Sequence, residues 1–438
     1  MKKIPSTYSR RSVLNSIALG GAAMITGIAN AQTAATTLPQ FTSQSDATRL
    51  ASDEAFWREV ATYYERAEGI VNLEHGYWGK MAKPVQETYI EATRLVNKQL
   101  SYYARRDFGE DAQVSSARVA QALGVEQNEI VLTRNATESI HNLIRQYHKI
   151  ESSDAVLYAD IDYPSFQDTM QWLADTNKAK AVVVNLPGRV AQEAIFSAYL
   201  QAFDANPNLK LMLITHVSNQ HGLVVPVARI AAEAKRRGID VICDCAQSWG
   251  LVDYKIADLG VDWAGFNIHK WIGAPVGVGA LYVRQGTLEK IRPYPGETDP
   301  DNNRLYKRVH TATSNFAAIM AIPAALDFHA AVGGANKEAR LKYLRGLWTQ
   351  EAETMAHIEV LGGADEESWT GMAAFRLRGE TSPSAVNALQ RRLEQEFGIF
   401  TVARFELSSG ACIRVTPQVF NTPNELAQLV RALRQLKA

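Results

Sequence analysis

The sequence predicts an α/β fold: a large domain built on a mostly parallel sheet wrapped by helices, followed by a smaller α+β C-terminal domain. Three observations carry this. Short apolar, β-rich runs bounded by polar or glycine residues alternate with helix-period segments between residues 130 and 283, as in a parallel sheet buried on both faces. Four polar residues, Asp244, Gln247, His269 and Lys270, fall at or just past the ends of two of those runs, where such sheets hold their ligands. Beyond residue 311 the alternation ends, and helices mix with a few strand-like runs in a chain of 438 residues, long enough for two domains.

Residues 1–31 read as a leader outside the fold. Ser9-Arg10-Arg11-Ser12-Val13-Leu14 is a twin-arginine pattern, followed by an apolar stretch from Ile17 to Ile28 and the small-residue site Ala29-Asn30-Ala31. That stretch is short and rich in glycine and alanine, so cleavage near Ala31 is expected rather than a stable membrane anchor. The expectation is a folded protein exported by the twin-arginine machinery to the periplasm. Lys plus Arg equals Asp plus Glu at 46 each, so nothing in the charge balance points to nucleic acid, and the partner expected is a small molecule. Three cysteines, Cys243, Cys245 and Cys412, sit in strand-like runs. The odd count marks them as buried small apolar residues, and no metal-ligand spacing is present.

Taken in order, residues 32–66 are first polar, then helical around Phe56, Trp57 and Tyr63, and are expected to pack with the small domain. Residues 67–310 make the large domain and 311–438 the small one. Asn72-Leu73-Glu74-His75-Gly76-Tyr77-Trp78-Gly79 is a glycine-punctuated stretch that reads by itself as an ordinary aromatic-glycine turn packed on the core. A helix from Glu87 to Leu100 and another around Val114 to Leu123 lead into the strand Ile130 to Thr133. Asn135-Ala136-Thr137 then opens a helix, whose free N-terminal amides and threonine hydroxyl suit a phosphate or serve as a simple cap. Strands follow at Ala155 to Tyr158, Ala181 to Leu186 and Leu211 to Val217, with helices at Gln192 to Phe203 and Val227 to Arg237, the second closed by Gly238. From Ile319 a long helix is expected. Next come strands at Ala373 to Arg378, Thr401 to Arg404 and Ala411 to Val415, and helices at Ser384 to Phe397 and Asn424 to Leu436. Arg376 and Arg404 read as surface residues.

The chemistry centres on Lys270 and Asp244. A lysine in a closed, largely apolar pocket has a depressed pKa, so its amine can attack an aldehyde. A carboxylate facing a pyridine nitrogen keeps it protonated and lets the ring accept electrons. Together the two describe a site for pyridoxal 5′-phosphate.

Asp244-x-Ala-Gln247 followed by Asn267-x-His-Lys-Trp271 resembles the class V aminotransferase group of fold-type I enzymes, most closely its isopenicillin N epimerase-like branch. The resemblance implies a seven-stranded-type sheet and a homodimer with shared active sites. It implies Lys270 and Asp244 as catalytic residues, and Ala136, Thr137, Tyr163, Asn219, Gln247, His269 and Thr313 as cofactor contacts. Tyr163 would stack on the ring, Asn219 and Gln247 would reach its phenolic oxygen, and Thr313 would cap the phosphate of the other subunit. Arg414 stands where the family binds the substrate carboxylate, and residues 72–79 resemble the family's entry motif near the substrate, with His75 and Tyr77 as candidates. The implied activity is on the α-amino group of an amino acid or of a residue in a secreted peptide such as a siderophore, by transamination or by epimerisation. Epimerisation needs a second base, for which His75 and Tyr163 are the candidates. The family's desulfurases carry a reactive cysteine in a loop for which the comparable stretch here, Arg404 to Gly410, has none. A catalytically silent binding protein would have lost Lys270 or Asp244, and both are present.

Overall fold

A computed structural model describes residue 41, residues 46–299 and residues 304–436. The leader expected over residues 1–31, with its expected cleavage site, lies outside the described residues.

Seven strands form the central sheet: β1 (Ile130–Thr133), β2 (Ala155–Ala159), β3 (Lys180–Val184), β4 (Leu209–Thr215), β5 (Asp240–Asp244), β6 (Trp263–Asn267) and β7 (Gly279–Val283). Their spatial order is β1-β7-β6-β5-β4-β2-β3. Neighbours pair in parallel except at β7, which runs antiparallel to both β1 and β6. Every residue of β2, β5, β6 and β7 is buried, because helices cover both faces, and this is why those strands read as continuous apolar runs. The reversal of β7 brings its beginning to the edge where the other strands end. There a β-carbon on Gly279 would fall 2.6 Å from both Asn135 Cα and Phe266 O, so only glycine lets the helix Ala136–Gln146 start directly against the sheet.

A second sheet contains β8 (Ile358–Gly363), β9 (Ala373–Leu377), β10 (Val402–Arg404) and β11 (Cys412–Val415), in the order β10-β11-β9-β8. Its far edge is completed by Arg189–Val190, a two-residue strand that pairs in parallel with Gly362 and Gly363. A second short pairing joins Val71–Asn72 to Ile399–Phe400. Neither is visible in the sequence, since two residues carry no periodicity.

The single long helix expected from Ile319 is instead three: Phe316–Met320, Ile322–Val332 and Gly334–Glu353. Pro323 starts the second by withholding an amide donor, and Gly333, at φ +90°, starts the third. The predicted helix end at Leu100 marks a real break, because Leu100 has φ +51° inside the helical stretch Lys83–Arg106. Among residues 46–66, helix Glu54–Ala61 is fastened to the third of these helices. Arg340, fully buried there, donates to Ala51 O at 3.0 Å and to the Glu54 carboxylate, while Trp57 donates to Leu50 O at 2.7 Å.

Candidate active site

The ends of β1, β2, β4, β5 and β6 converge with the start of β7 on a cavity of about 490 Å³. Lys270 lies three residues past β6 and Asp244 ends β5, so the alternation of strand and helix sets both at one sheet edge. Burial, followed by the charge of Arg414, pushes the Lys270 amine down to about 7, while Asp244 pulls it up. Burial pushes Asp244 up to about 6, against the Ala246 amide, which donates to its Oδ1 at 2.8 Å, and against Lys270. Among the described residues no protein group accepts a hydrogen bond from Lys270, so its amine is free to react.

The residues around this pair hold one another in place. His269 donates from Nδ1 to the Val278 carbonyl at 2.8 Å; a carbonyl only accepts, so Nδ1 carries the proton and Nε2 is left as an acceptor. Burial pushes His269 down to about 4, which keeps the ring neutral. Trp271 donates to Gln247 Oε1 at 3.0 Å and Gln247 Nε2 donates to Gly76 O at 2.8 Å, which fixes the amide's orientation and leaves one N–H of Gln247 for a ligand. Asn219, Thr137, Tyr163 and Tyr77 also line the cavity, Tyr163 and Tyr77 with rings 39% and 70% exposed.

Two expected contacts are not made. Ala136 is buried, and its amide donates to Asn267 Oδ1 at 2.8 Å, so it cannot serve a phosphate. Asn135 Oδ1 accepts from the Glu138 amide in the same way, and among the described residues the amide and hydroxyl of Thr137 have no protein partner at that helix end. His75 is buried away from the cavity: Nε2 bonds to Asn72 O at 3.1 Å, its backbone amide donates to Thr416 Oγ1, and the ring packs edge-on to Phe420. Burial pushes it down to about 4, and in the loop Gly76, Tyr77 and Trp78 are the residues that line the cavity. Thr313 lies in a different hollow, with Tyr89, Asn97 and Leu100, and touches no part of this one. The preceding Ala312 holds φ +53°, in the left-handed region that favours glycine.

Two readings of surface position are also corrected. Arg376 is buried and ion-paired with Glu359, and Arg404 lines the cavity. Arg414 lines the cavity as expected, with Nη2 2.6 Å from Glu74 Oε1 and Nη1 2.7 Å from Asn219 O. Nothing in the sequence marks Glu74 beyond an acidic residue among aromatic and glycine neighbours. The cysteines are buried and free, Cys243 and Cys245 with sulfurs 3.6 Å apart.

An amine that reacts unprotonated, a buried carboxylate with one oxygen uncommitted, and an uncommitted threonine at a helix N-terminus fit a pyridine aldehyde bearing a phosphate. The chain is a fold-type I, pyridoxal-phosphate-dependent enzyme. Residues 81–429 match the family described as aminotransferase class-V, and the chain belongs to that family. It is similar to the isopenicillin N epimerase of Amycolatopsis lactamdurans, 24% identical over 87% of this chain and 98% of that protein. The isopenicillin N epimerase of Streptomyces clavuligerus is 25% identical over the same shares. Among solved structures, the apo cysteine desulfurase of Thermococcus onnurineus NA1 shares the fold with a TM-score of 0.75, at 18% identity, over 86% of this chain and 97% of that one.

Proposed function

We propose that this protein is an aminotransferase acting on the α-amino group of an amino acid or of an amino-acid residue in a larger peptide. We propose further that it works in the periplasm after twin-arginine export and as a homodimer in which Thr313 serves the neighbouring site. The observation that carries the reaction assignment is that, among the described residues, Lys270 is the one strong base at the cavity, since His75 is turned into the protein and bonded to Asn72 and burial lowers the basicity of His269.

Pyridoxal phosphate, when bound, supplies an aldehyde for the substrate nitrogen and a ring that draws electrons from Cα. Lys270 would hold the aldehyde, and its amine, unprotonated near neutrality, would take the Cα proton and return it elsewhere. Asp244 would keep the ring nitrogen protonated. Gln247 and Asn219 would bond the phenolic oxygen, Tyr163 would lie against the ring and Thr137 would hold the phosphate. Arg404 and Arg414 supply positive charge for a carboxylate. A single base that moves one proton between two carbons on the same face gives transamination.

Epimerisation is the second reading, favoured by the two epimerases among the relatives and by Tyr163, a phenol at the cavity able to act from the other side. Desulfuration is disfavoured because Cys412 is buried within β11 and burial pushes its thiol up to about 12.

The test offers the loaded enzyme a panel of amino acids and secreted peptides in deuterated water. Appearance of the pyridoxamine form supports transamination. Deuterium entering Cα without that form rejects it in favour of epimerisation.

A further inference from the structure

Three arginines share one face of the second sheet. Arg414 on β11 lies opposite Ala374 on β9 and Val402 on β10, which puts Arg376 and Arg404 two places along on the flanking strands, on the same side. Two of the three are neutralised. Arg376 binds both carboxylate oxygens of Glu359, at 2.9 and 3.0 Å. Arg414 is paired with Glu74, whose side chain is itself buried, and it also gives an N–H to Asn219 O. The loop bearing Glu74 covers that guanidinium so closely that a β-carbon on Gly76 would come within 2.8 Å of Arg414 Nη2. Arg134, also at the cavity, is bonded to Glu138. Arg404 alone of the cavity's arginines has no acidic partner among the described residues, and its Nε is buried without a hydrogen-bond partner.

We infer that Arg404, rather than Arg414, is the side chain that takes the carboxylate of the substrate, and that Glu74 decides this by keeping Arg414 compensated. The inference rests on reading the cavity as an amino-acid site. A carboxylate arriving at Arg414 meets Glu74 on the same guanidinium, and like charges oppose one another there. At Arg404 it meets a cation with nothing to offset it, near enough to depress both Lys270 and Arg414. Nε is buried and unpartnered in both arginines, but Arg414 already commits Nη1 to Asn219 O and Nη2 to Glu74, whereas the Arg404 fork, bonded to no acceptor among the described residues, can give a carboxylate two parallel bonds. Glu74 is thus a specificity-determining residue that acts through Arg414.

The probe is succinate, which carries carboxylates but no amine to react. Its binding to the pyridoxal-phosphate-loaded protein is measured by calorimetry for the parent, Arg404→Gln, Arg404→Lys and Glu74→Gln. Arg404→Gln is expected to weaken succinate at least tenfold and Arg404→Lys to recover part of the loss. Glu74→Gln, which releases Arg414, is expected to bind at least as tightly as the parent. Unchanged binding in Arg404→Gln, or no measurable binding to the parent, overturns the inference. The visible absorption of the lysine-bound cofactor, read in the same samples, separates the two ideas: a normal band with succinate indifferent to Arg404 rejects this inference alone, whereas no band in the parent rejects the reading of the cavity.

Discussion

Gly79 lies against the main chain of Lys270. Its amide donates to His269 O at 2.7 Å, and a β-carbon built on it would collide with Lys270 O. The loop 72–79 is therefore the clamp that fixes where the reactive lysine begins, because backbone rests on backbone with no side chain between them.

Gly79→Ala must push the Lys270 turn aside. Expected are a loss of more than tenfold in affinity for pyridoxal phosphate and a stability loss of about 1–3 kcal/mol, the usual range for overpacking. An absorbance titration with the cofactor and a urea melt check both. Parent-like values in the variant would show that the clamp does not position the lysine.

Lys270 reacts only when unprotonated, and burial beside Arg414 brings its amine from 10.5 to about 7. The rate at which cofactor-free protein gains the visible band on adding pyridoxal phosphate should rise with pH up to about 7 and then level. Lys270→Ala should give no band at any pH. A rate that keeps climbing toward pH 10 would contradict the depressed value.

Asp162, three residues past the end of β2, is fully buried, its Oδ2 accepting the Ala159 amide at 2.7 Å, and burial raises it from 3.8 to about 7. The folded protein therefore holds a proton that the unfolded chain has released between those values. This contribution to stability is complete below about pH 4 and is lost as pH rises through about 7. Asp162→Asn removes the effect and should be the more stable protein at pH 8, by on the order of a few kcal/mol. Urea melts of both proteins at pH 5 and pH 8 give the comparison, and an equal difference at the two values would rule the assignment out.

Cys243, Cys245 and Cys412 are all buried and free. Denatured without reductant, the protein should yield three titratable thiols per chain, and the native protein should yield none on the timescale of minutes. Cys412→Ala should keep its activity. Activity abolished by that change would restore the desulfurase reading.

Much of the fold was legible because its signals are local. A strand buried on both faces must be apolar along its length, so β2, β5, β6 and β7 stand out as runs, and chain direction alone brings Asp244 and Lys270 to one edge. Other features were hidden. Whether Arg404 points to water or to the cavity depends on its register with β11, and the break at Gly333 turns on a backbone angle that composition does not reveal. The use of the Ala136 amide by Asn267 joins residues 131 apart, across the sheet edge.

The sequence by itself determined the layered α/β architecture, the lysine and aspartate that define the chemistry, and the family, since periodicity and short motifs are properties of neighbouring residues. Tertiary structure alone decided which charges remain available. Glu74 and Arg414 are 340 residues apart and meet only when the loop 72–79 closes over the second sheet. A charge buried in a fold is governed by the partner it finds there, and that partner is chosen by packing.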